Sequence, residues 1–397
     1  MSDQKHIVID SKELCCGCTA CYSACPKNAI TMCEDEEGFQ YPKVDKGKCV
    51  DCGLCVQKCP IHTGNHTPKT EHFFAVKHKQ DDIRAASSSG GMFSALAEGI
   101  IGRNGIVYGA AYDAKFNVCH IRTTGEDWKK LRSSKYVQSD MGNTFSLVRE
   151  DLRKGKEVLF TGTPCQVDGL NRYLAGVDTA KLLTVDLICH GVPSPKIWQA
   201  YLKGIKKKHK KQIGNINFRN KEGCGWHGST LRIESPTGEV IVEQSQKEGF
   251  FFHLFFNHLI IRPSCFSCQY ANLNRVGDIT IGDYWGVENT HPELDDDKGL
   301  SLVMANTPKG RNAIEIASAH CDVVPISEEA CMQPQLQAPA RKYGGRDNFW
   351  WTYRNFGLKI AGKRARLLPV TKWESPMLFL IRIFHKARNL LKKILNL

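Results

Sequence analysis

Residues 15–26 read CCGCTACYSACP, and residues 49–60 read CVDCGLCVQKCP. Both stretches follow the pattern C-x2-C-x2-C-x3-C-P, which begins at Cys15 and again at Cys49. A thiolate is a soft ligand that suits iron–sulfur clusters, and this spacing is typical of bacterial proteins that hold two [4Fe–4S] clusters. Three closely spaced cysteines bind one cluster, and the cysteine before proline reaches the other. We therefore predict that cluster one is held by Cys15, Cys18, Cys21 and Cys59, and cluster two by Cys49, Cys52, Cys55 and Cys25.

The repeated spacing also predicts the class of the first domain. A pair of zinc sites or a disulfide knot would be the alternatives, but zinc-binding sequences normally stop at C-x2-C pairs. We predict an α+β, ferredoxin-like two-cluster domain over residues 1–66. A short strand at residues 6–10 is expected to pair with a strand near residues 29–32. Such a domain moves electrons one at a time.

The length of the chain, 397 residues, leaves room for two or three domains with a sizeable core. Residues 1–10 are polar and lack the apolar segment of a secretory signal. No apolar run is long enough to span a membrane. We expect a cytoplasmic protein whose 18 cysteines are metal ligands or free thiols rather than disulfides.

The formal net charge of +13 is spread unevenly along the chain. Residues 203–211 (KGIKKKHKK) and the chain from Lys359 onward hold much of the excess. Since no basic stripe with interleaved aromatic residues occurs, we expect no nucleic-acid partner. The tail is predicted to form a basic amphipathic helix that either docks on the core or makes a peripheral contact with the inner, anionic membrane face. Its apolar face is predicted to consist of Met377, Leu380, Ile381, Phe384, Leu391, Ile394 and Leu395.

The composition and the residue pattern of the sequence change after the cysteine-rich stretch. Residues 61–70 are rich in His, Thr, Gly and Pro and are typical of a linker. From residue 72, strand-like and helix-like segments alternate, which predicts an α/β domain, and residues 213–242 add a β-rich extension. The predicted parts are an N-terminal α/β part at 72–180, a C-terminal part at 181–345 and a peripheral segment at 346–397.

Four more cysteines stand in turn-rich settings. Cys165 and Cys189 directly follow two predicted strands, and Cys265 and Cys268 form a C-x2-C pair. In open α/β sheets, ligands bind beyond the carboxyl ends of the strands, where Cys165 and Cys189 are expected. By spacing alone, the four could be a zinc site, a third cluster or chance.

Several short motifs surround these cysteines. In chain order between residues 87 and 286 they are SSSGGMFSAL, SKYVQS, TGTPCQ, ICHG, RPSCFSC and DITIGDYWG. Together they resemble the beta-subunit family of coenzyme F-420 hydrogenases and dehydrogenases, and they are similar to the ferredoxin-dependent chlorophyll-pathway reductases of plants and cyanobacteria. With the cysteine repeat in front, the resemblance covers about residues 10–290.

The resemblance implies that the α/β domain is a flavin-binding domain that holds FAD beside a third [4Fe–4S] cluster. It implies Cys165, Cys189, Cys265 and Cys268 as the ligands of that cluster; buried structural thiols are the alternative. Cys16, Cys33, Cys119, Cys224, Cys321 and Cys331 have no partner at ligand spacing and are interpreted as ordinary thiols.

The flavin also has a physical argument. Residues 87–91 open a helix, where free backbone N–H groups and the helix dipole favour an anion such as a pyrophosphate. A Ser/Gly turn that only caps a helix, a solvated basic loop and a turn at the sheet edge are the alternatives. The candidate flavin contacts are Ser88, Ser89, Gly90, Gly91, Lys135, Tyr136, Thr161, Gly162 and Thr163.

Two residues could deliver a proton to a substrate beside the flavin. His190 follows Cys189, and Asp283 lies in a glycine-rich turn; histidine titrates near neutral pH. For His190, a hydrogen bond to cluster sulfur is the competing role. Trp226 and Trp285 line a substrate pocket or simply pack in the core.

These parts predict an oxidoreductase. Electrons from ferredoxin or a partner subunit would enter the N-terminal clusters, pass to the third cluster and FAD, and reach an organic acceptor; the flow could also run in reverse. One alternative is a non-catalytic electron-transfer subunit of a larger hydrogenase or dehydrogenase. Another is a redox-sensing or scaffolding iron–sulfur protein without flavin. Use of coenzyme F-420 as the small-molecule substrate is open, because the chlorophyll-pathway relatives reduce different molecules.

Overall fold

A computed structural model describes residues 5–64, 69–365 and 375–394. The chain divides into two compact units. The larger unit consists of Met1–Gln246 and Ile261–Arg341, and the smaller of Lys247–Ile260 and Lys342–Leu397. Every cysteine of the three predicted sets belongs to the larger unit. The predicted domain boundaries at residues 66, 180 and 345 stay predictions.

The N-terminal part consists of short helices around one hairpin. Its strands, β1 (Ile30–Glu34) and β2 (Gln40–Val44), pair antiparallel. The prediction of a strand at residues 6–10 is wrong, since no strand forms there. Ile7 directs its backbone N–H to the sulfur of Cys55 at 3.3 Å instead of to a neighbouring strand. The helices are α1 (Ala20–Ala24), α2 (Leu54–Gln57) and α3 (Pro60–Thr63).

From residue 72 the strands alternate with helices, as predicted. The further strands are β3 (His72–His78), β4 (Ile106–Tyr112), β5 (Val118–Thr123), β6 (Val158–Gly162), β7 (Leu182–Leu187), β8 (Asn215–Asn220), β9 (Thr230–Glu234), β10 (Val240–Ser245), β11 (Ile279–Asp283), β12 (Ser301–Ala305) and β13 (Cys321–Ile326). The further helices are α4 (Asp81–Ala85), α5 (Met92–Gly102), α6 (Thr144–Arg153), α7 (Pro164–Tyr173), α8 (Pro195–His209), α9 (Phe250–Phe256), α10 (Val287–Thr290), α11 (Pro308–Ala317), α12 (Glu328–Cys331), α13 (Arg346–Arg364) and α14 (Ser375–Ile394).

The main sheet of the larger unit is mixed. Its strand order is β13-β3-β12-β11-β7-β6-β4-β5. The central neighbours β4, β6, β7 and β11 are parallel to one another, and the outer strands pair antiparallel. Strands β8, β9 and β10 form a separate antiparallel sheet, which is the predicted β-rich extension. The α/β prediction is confirmed as a mixed sheet.

Helices cover both faces of this sheet. On one face, apolar side chains of β4, β6 and β7 pack with α5 and α11. On the other face, α6 and α7 pack on the same strands, and Cys16, Cys18 and Ala20 belong to that core. The first cysteine loop is therefore packed into the sheet domain rather than carried on a separate module.

The smaller unit contains α9, α13 and α14. The Trp350 indole N–H donates to the carbonyl oxygen of Leu259 at 2.9 Å, so the aromatic helix α9 and α13 are joined. Helix α13 breaks at Gly357, whose φ of 77° is unfavourable for other residues. The predicted linker at residues 61–70 lies partly outside the described residues. Among the helices that the structure describes, none combines the length and apolar character needed to cross a bilayer.

Candidate metal centres

The two N-terminal cysteine sets line two separate cavities. One cavity is lined by Cys15, Cys18, Cys21 and Cys59. A second cavity is lined by Cys25, Cys49, Cys52 and Cys55. In each case the cysteine before proline has crossed to the cavity of the other run. The structure thus brings together both predicted sets.

The backbone takes the same unusual shape in both runs. Gly17 and Thr19 have φ of 71° and 69°, and the equivalent Asp51 and Gly53 have φ of 50° and 74°. Left-handed residues at alternate positions turn backbone N–H groups into one concavity, which favours an anion. A cluster with thiolate ligands is anionic, so the loops fit such a group. The left-handed Thr19 costs free energy, because a residue with a Cβ rarely adopts this conformation.

The two cavities differ in exposure. Cys18 and Cys21 are buried, whereas Cys52 is exposed. Burial is the main cause that raises the pKa of Cys21 above the range of a free thiol. The neighbouring Cys15 and Cys59 thiolates add to this rise. In the second set, the N–H of Ala29 donates to Cys25 sulfur at 3.2 Å. The second set is therefore the one that an external redox partner can approach.

The third set also comes together. Cys165 begins α7 directly after β6, Cys189 follows β7, and Cys265 and Cys268 lie in and after the turn at Pro263–Ser267. Burial and then the neighbouring thiolates raise the pKa of Cys189 to about 12 and that of Cys268 to about 11. Each of the six pairs within the set is close enough for such charge repulsion. Three distant segments of the sequence thus meet at the carboxyl edge of the parallel strands.

The spacing of the sulfurs disfavours a single ion. Four thiolates around one zinc ion would lie roughly 3.8 Å apart, given a Zn–S distance of about 2.3 Å. In the described part of the chain, two groups have three ligand atoms within 4.8 Å of one another, and neither contains three cysteines. They are His6 with Cys49 and Asp51, and His227 with Glu288 and Asp295. The cysteine sets are more open and fit a cluster better.

A buried ion pair holds the third set. Arg275 donates to Asp186 at 2.7 Å, and their side chains are 1% and 0% exposed. Arg275 also donates to the carbonyl oxygens of Tyr270 at 2.6 Å and Leu187 at 2.9 Å. These bonds tie the segment after Cys268 to the end of β7, just before Cys189. The sequence analysis missed both residues, since nothing in their spacing marks them.

The serine–glycine turn at residues 87–91 packs tightly against the sheet. Ser89 donates its hydroxyl to the carbonyl oxygen of Leu300 at 2.6 Å, and Ser88 accepts from the N–H of Ser134 at 2.7 Å. A Cβ on Gly90 would lie 2.2 Å from the carbonyl oxygen of Val76, so this glycine is required for packing. Helix α5 begins after Gly91 without a side-chain cap, which leaves its first N–H groups for an anion.

The other candidate flavin contacts are engaged inside the protein. The Lys135 ammonium donates to the carbonyl oxygens of three preceding residues, at 2.6 to 3.3 Å. Burial lowers its pKa to about 7, and these three acceptors oppose that shift because they stabilise the charged form. Burial is also the first cause of the raised pKa of Tyr136. Thr161 donates to the Tyr108 carbonyl oxygen at 3.1 Å, next to Gly162, and Thr163 caps α7. Their contact with a flavin stays a prediction.

Asp283 and His190 lie at the same sheet edge, because Ile281 of β11 pairs with Leu187 of β7. The Asp283 carboxylate accepts from Trp226 at 2.9 Å and from Arg219 at 3.3 Å, so its charge is compensated. The ring of Trp226 is buried and stacks on the partly exposed Trp285, with centroids 4.8 Å apart. His190 contacts the amide of Gln335 through Nδ1 at 2.8 Å.

The comparison with known families agrees with this geometry. The family model for the C terminus of the coenzyme F420 hydrogenase/dehydrogenase beta subunit matches residues 155–329. The model described as "4Fe-4S dicluster domain" matches residues 14–63. Residues 155–329 therefore form the beta-subunit domain of this chain. The chain is an iron–sulfur redox protein with a dicluster domain fused in front of the beta-subunit domain.

Individual relatives of this beta-subunit protein match it over short stretches. An uncharacterized ferredoxin of Methanocaldococcus jannaschii is 39% identical over 57 residues, which cover 14% of this chain and 71% of the ferredoxin. The B subunit of the Na(+)-translocating ferredoxin:NAD(+) oxidoreductase complex of Acetobacterium woodii is 35% identical over 75 residues, 19% of this chain and 21% of that subunit. NADH-quinone oxidoreductase subunit I 2 of Geobacter metallireducens is 32% identical over 81 residues, 19% of this chain and 60% of that subunit. The match thus spans about a fifth of the Acetobacterium protein.

Among solved structures, a chain of the F420-reducing [NiFe] hydrogenase complex from Methanosarcina barkeri is similar to this beta-subunit protein. It is 17% identical, with a TM-score of 0.44 over 75% of this chain and 91% of that chain.

Cys16 joins two cysteine sets of the beta-subunit protein. It is buried, and the thiols of Cys18 and Cys165 lie close enough to shift its pKa, which is raised. A Cβ on Gly169 of α7 would lie 2.8 Å from the sulfur of Cys18, so the first loop and α7 touch directly. The interpretation of Cys16 as an ordinary thiol rested on ligand spacing, which cannot report a contact between two sites. The first and third sets are neighbours.

Proposed function

We propose that this chain is an iron–sulfur flavoprotein oxidoreductase with three [4Fe–4S] clusters. The observation that carries the proposal is the third set of four cysteines, assembled at the carboxyl edge of the parallel strands and in contact with the first set. Each cluster, when bound, takes up and releases one electron at a time. The proposed ligand sets are Cys15, Cys18, Cys21 and Cys59; Cys49, Cys52, Cys55 and Cys25; and Cys165, Cys189, Cys265 and Cys268.

The exposure of the cysteines and the contact made by Cys16 suggest the order second set, first set, third set for electron transfer. The second set is nearest to solvent and suits an external donor, ferredoxin or a redox partner subunit. The first set is buried, and Cys16 connects it to Cys165 of the third set. Burial raises the pKa of Cys21, Cys189 and Cys268, so metal loading must release their protons and becomes weaker as the pH falls.

FAD is the second cofactor that we propose. The uncapped N–H groups of α5 would hold its pyrophosphate, and the loop at Ser133–Tyr136 faces the same turn through Ser134 and Ser88. A flavin, when bound, exchanges electrons singly or in pairs and so links the clusters to an organic acceptor. His190 is the better proton donor of the two candidates, because the Asp283 carboxylate is already held in an ion pair with Arg219.

Two further alternatives concern the same site. A non-catalytic electron-transfer subunit is favoured by the relatives, which are named as subunits of redox complexes. Turnover of an organic substrate by the purified chain alone, with an artificial electron donor, would exclude that alternative. A redox sensor or scaffold would hold clusters without flavin. Coenzyme F-420 is proposed as a candidate substrate through the family alone.

The first experiment is an anaerobic purification in which iron, sulfide and flavin are counted per chain. We expect about twelve irons, since each cluster holds four, together with one FAD. Cys321→Ser is a matched control, because Cys321 is buried outside all three sets and its replacement should leave the iron count unchanged. A count of about eight irons without flavin would contradict the proposal.

The tail helix α14 has two apolar faces. Leu378, Ile381 and His385 are buried, and the His385 ring lies 4.6 Å from that of Trp351 in the same unit. The predicted common face is therefore wrong for Ile381, which is buried, whereas Met377, Leu380 and Phe384 are exposed. The outer face, defined by its exposed apolar side chains, consists of Met377, Phe379, Leu380, Ile383 and Phe384.

We propose that this outer face lies on an anionic membrane surface. From Ser375 to Ile394 the helix contains no acidic residue, and it carries Arg382, Lys386, Arg388, Lys392 and Lys393. The exposed Arg382 lies beside the outer face, so apolar insertion and attraction to anionic lipid act together. An acidic protein surface would complement the basic charges, but it would not bury the large exposed phenylalanine side chains.

Replacing Phe379 and Phe384 by glutamate should weaken binding to phosphatidylglycerol vesicles at least about tenfold, since each Phe contributes roughly 1.5–3 kcal/mol on burial. Cosedimentation with vesicles measures this. Ile316→Glu is the control, because Ile316 is an exposed apolar residue on α11. Equal binding by the wild type and the double variant would contradict the membrane contact.

A further inference from the structure

Arg262 is a buried cation at the first cysteine loop. Arg262 is 1% exposed and lies three positions before Cys265 in the sequence. Nε donates to the carbonyl oxygen of Cys15 at 2.7 Å, and Nη2 lies 3.6 Å from Cys15 sulfur. A Cβ on Gly17 would lie 2.7 Å from Nη1, so the loop needs glycine where the guanidinium touches it.

The charge of Arg262 is not balanced by a carboxylate in the described part of the chain. Besides Cys15, its acceptors are neutral oxygens, the Gln138 side chain and the Gln40 carbonyl, both at 2.9 Å. The ring of Tyr41 covers one face of the guanidinium at 4.3 Å. Arg275, also buried, is paired with Asp186 instead. A buried charge is costly unless an anion lies beside it.

A cluster in the first cysteine set would be that anion. A cubane held by four thiolates is negatively charged, and reduction adds one more negative charge. Arginine stays protonated at any pH that proteins tolerate, so its positive charge is permanent. In a site with little water, a fixed positive charge favours the more negative, reduced form and raises the reduction potential.

The second cysteine set has no comparable cation among the described residues. The carboxylate of Asp51 lies 3.5 Å from the sulfur of Cys49 and also contacts His6 at 2.8 Å. Lys5 and Lys27 border this cavity, but both are exposed to water, which screens their charge. The surroundings of the two sets therefore differ in sign of charge as well as in burial.

We propose that Arg262 raises the reduction potential of the first cluster above that of the second and so directs electrons inward. This inference rests on the proposed function, since it takes the clusters to be held by the sets named there. Arg262 favours the state in which one electron, supplied by a one-electron donor such as reduced ferredoxin, has left the second set and is held at the first. No bond is made or broken, and Arg262 acts only through its fixed positive charge.

The test is a redox titration followed by electron paramagnetic resonance on the reconstituted chain, with iron counted in each sample. In Arg262→Gln, the ratio of reduced to oxidised first cluster at the wild-type midpoint should fall at least about tenfold, which equals roughly 59 mV for one electron. The second cluster should titrate as in the wild type. Arg262→Lys, which keeps the charge, should restore most of the ratio.

Gln138→Leu is the matched control for packing. Gln138 contacts both Arg262 and the Cys16 carbonyl, at 2.9 and 3.1 Å, but carries no charge, so its loss should leave the ratio within about twofold. A ratio unchanged in Arg262→Gln, or shifted equally in Gln138→Leu, would overturn the inference while the clusters stand. Wild-type protein without about eight N-terminal irons would overturn the proposed function, and this inference with it.

Discussion

Replacing Cys265 and Cys268 together by serine should lower the iron content from about twelve to about eight per chain. Serine oxygen is a harder ligand than thiolate, and a cubane does not persist on two remaining cysteines. The loss should be confined to the third set, because Cys165 and Cys189 complete only that set. Iron and sulfide analysis measures the change, and the resonance signals of the two N-terminal clusters should remain.

The companion variants make this result specific. Cys33→Ser removes an exposed cysteine outside the sets and should leave all the iron in place. FAD content should be counted in the same samples, since it reports whether the sheet domain is still folded. Full iron content in the double variant would contradict the assignment of the third set and would return Cys165 and Cys189 to structural thiols.

Replacing Asp186 by alanine should destabilise the larger unit by about 3–5 kcal/mol, because Arg275 would remain buried without its partner. The loss extends beyond the ion pair. Asp186 also accepts from the N–H of Gly277 at 2.9 Å and from the Thr280 hydroxyl at 2.7 Å. The midpoint of urea unfolding, measured with the chain under anaerobic conditions, should fall accordingly.

Two comparisons separate burial of charge from ordinary side-chain loss. Lys154→Ala breaks the exposed pair with Glu150, N to O 2.6 Å, and should cost about 0.5 kcal/mol or less. The double variant Asp186→Leu with Arg275→Met should be less destabilised than Asp186→Ala, since no unpaired charge is left. If Asp186→Ala cost no more than Lys154→Ala, the ion pair would not be what holds Cys189 near Cys268.

The sequence by itself determined the parts that depend on local spacing. The two cysteine runs predicted which cysteine crosses to the other run, because the loops are short and proline turns the chain after the fourth cysteine. Strand and helix patterns predicted the α/β part for the same reason, since each pattern is read within a few residues. Residues 6–10 are the exception: Ile7 donates to a sulfur, and no pattern of apolar residues reports that bond.

Only the tertiary structure decided the contacts between distant segments. Cys16 and Cys165 are 149 positions apart in the sequence, yet their thiols lie close together. Arg262 reaches Cys15 across 247 positions, and Arg275 reaches Asp186 across 89. A buried arginine has no local signature, because the groups that offset its burial come from other parts of the chain. The charge next to each cysteine set is therefore a property of the packed domain, whereas the cysteine sets themselves follow from spacing and sequence resemblance.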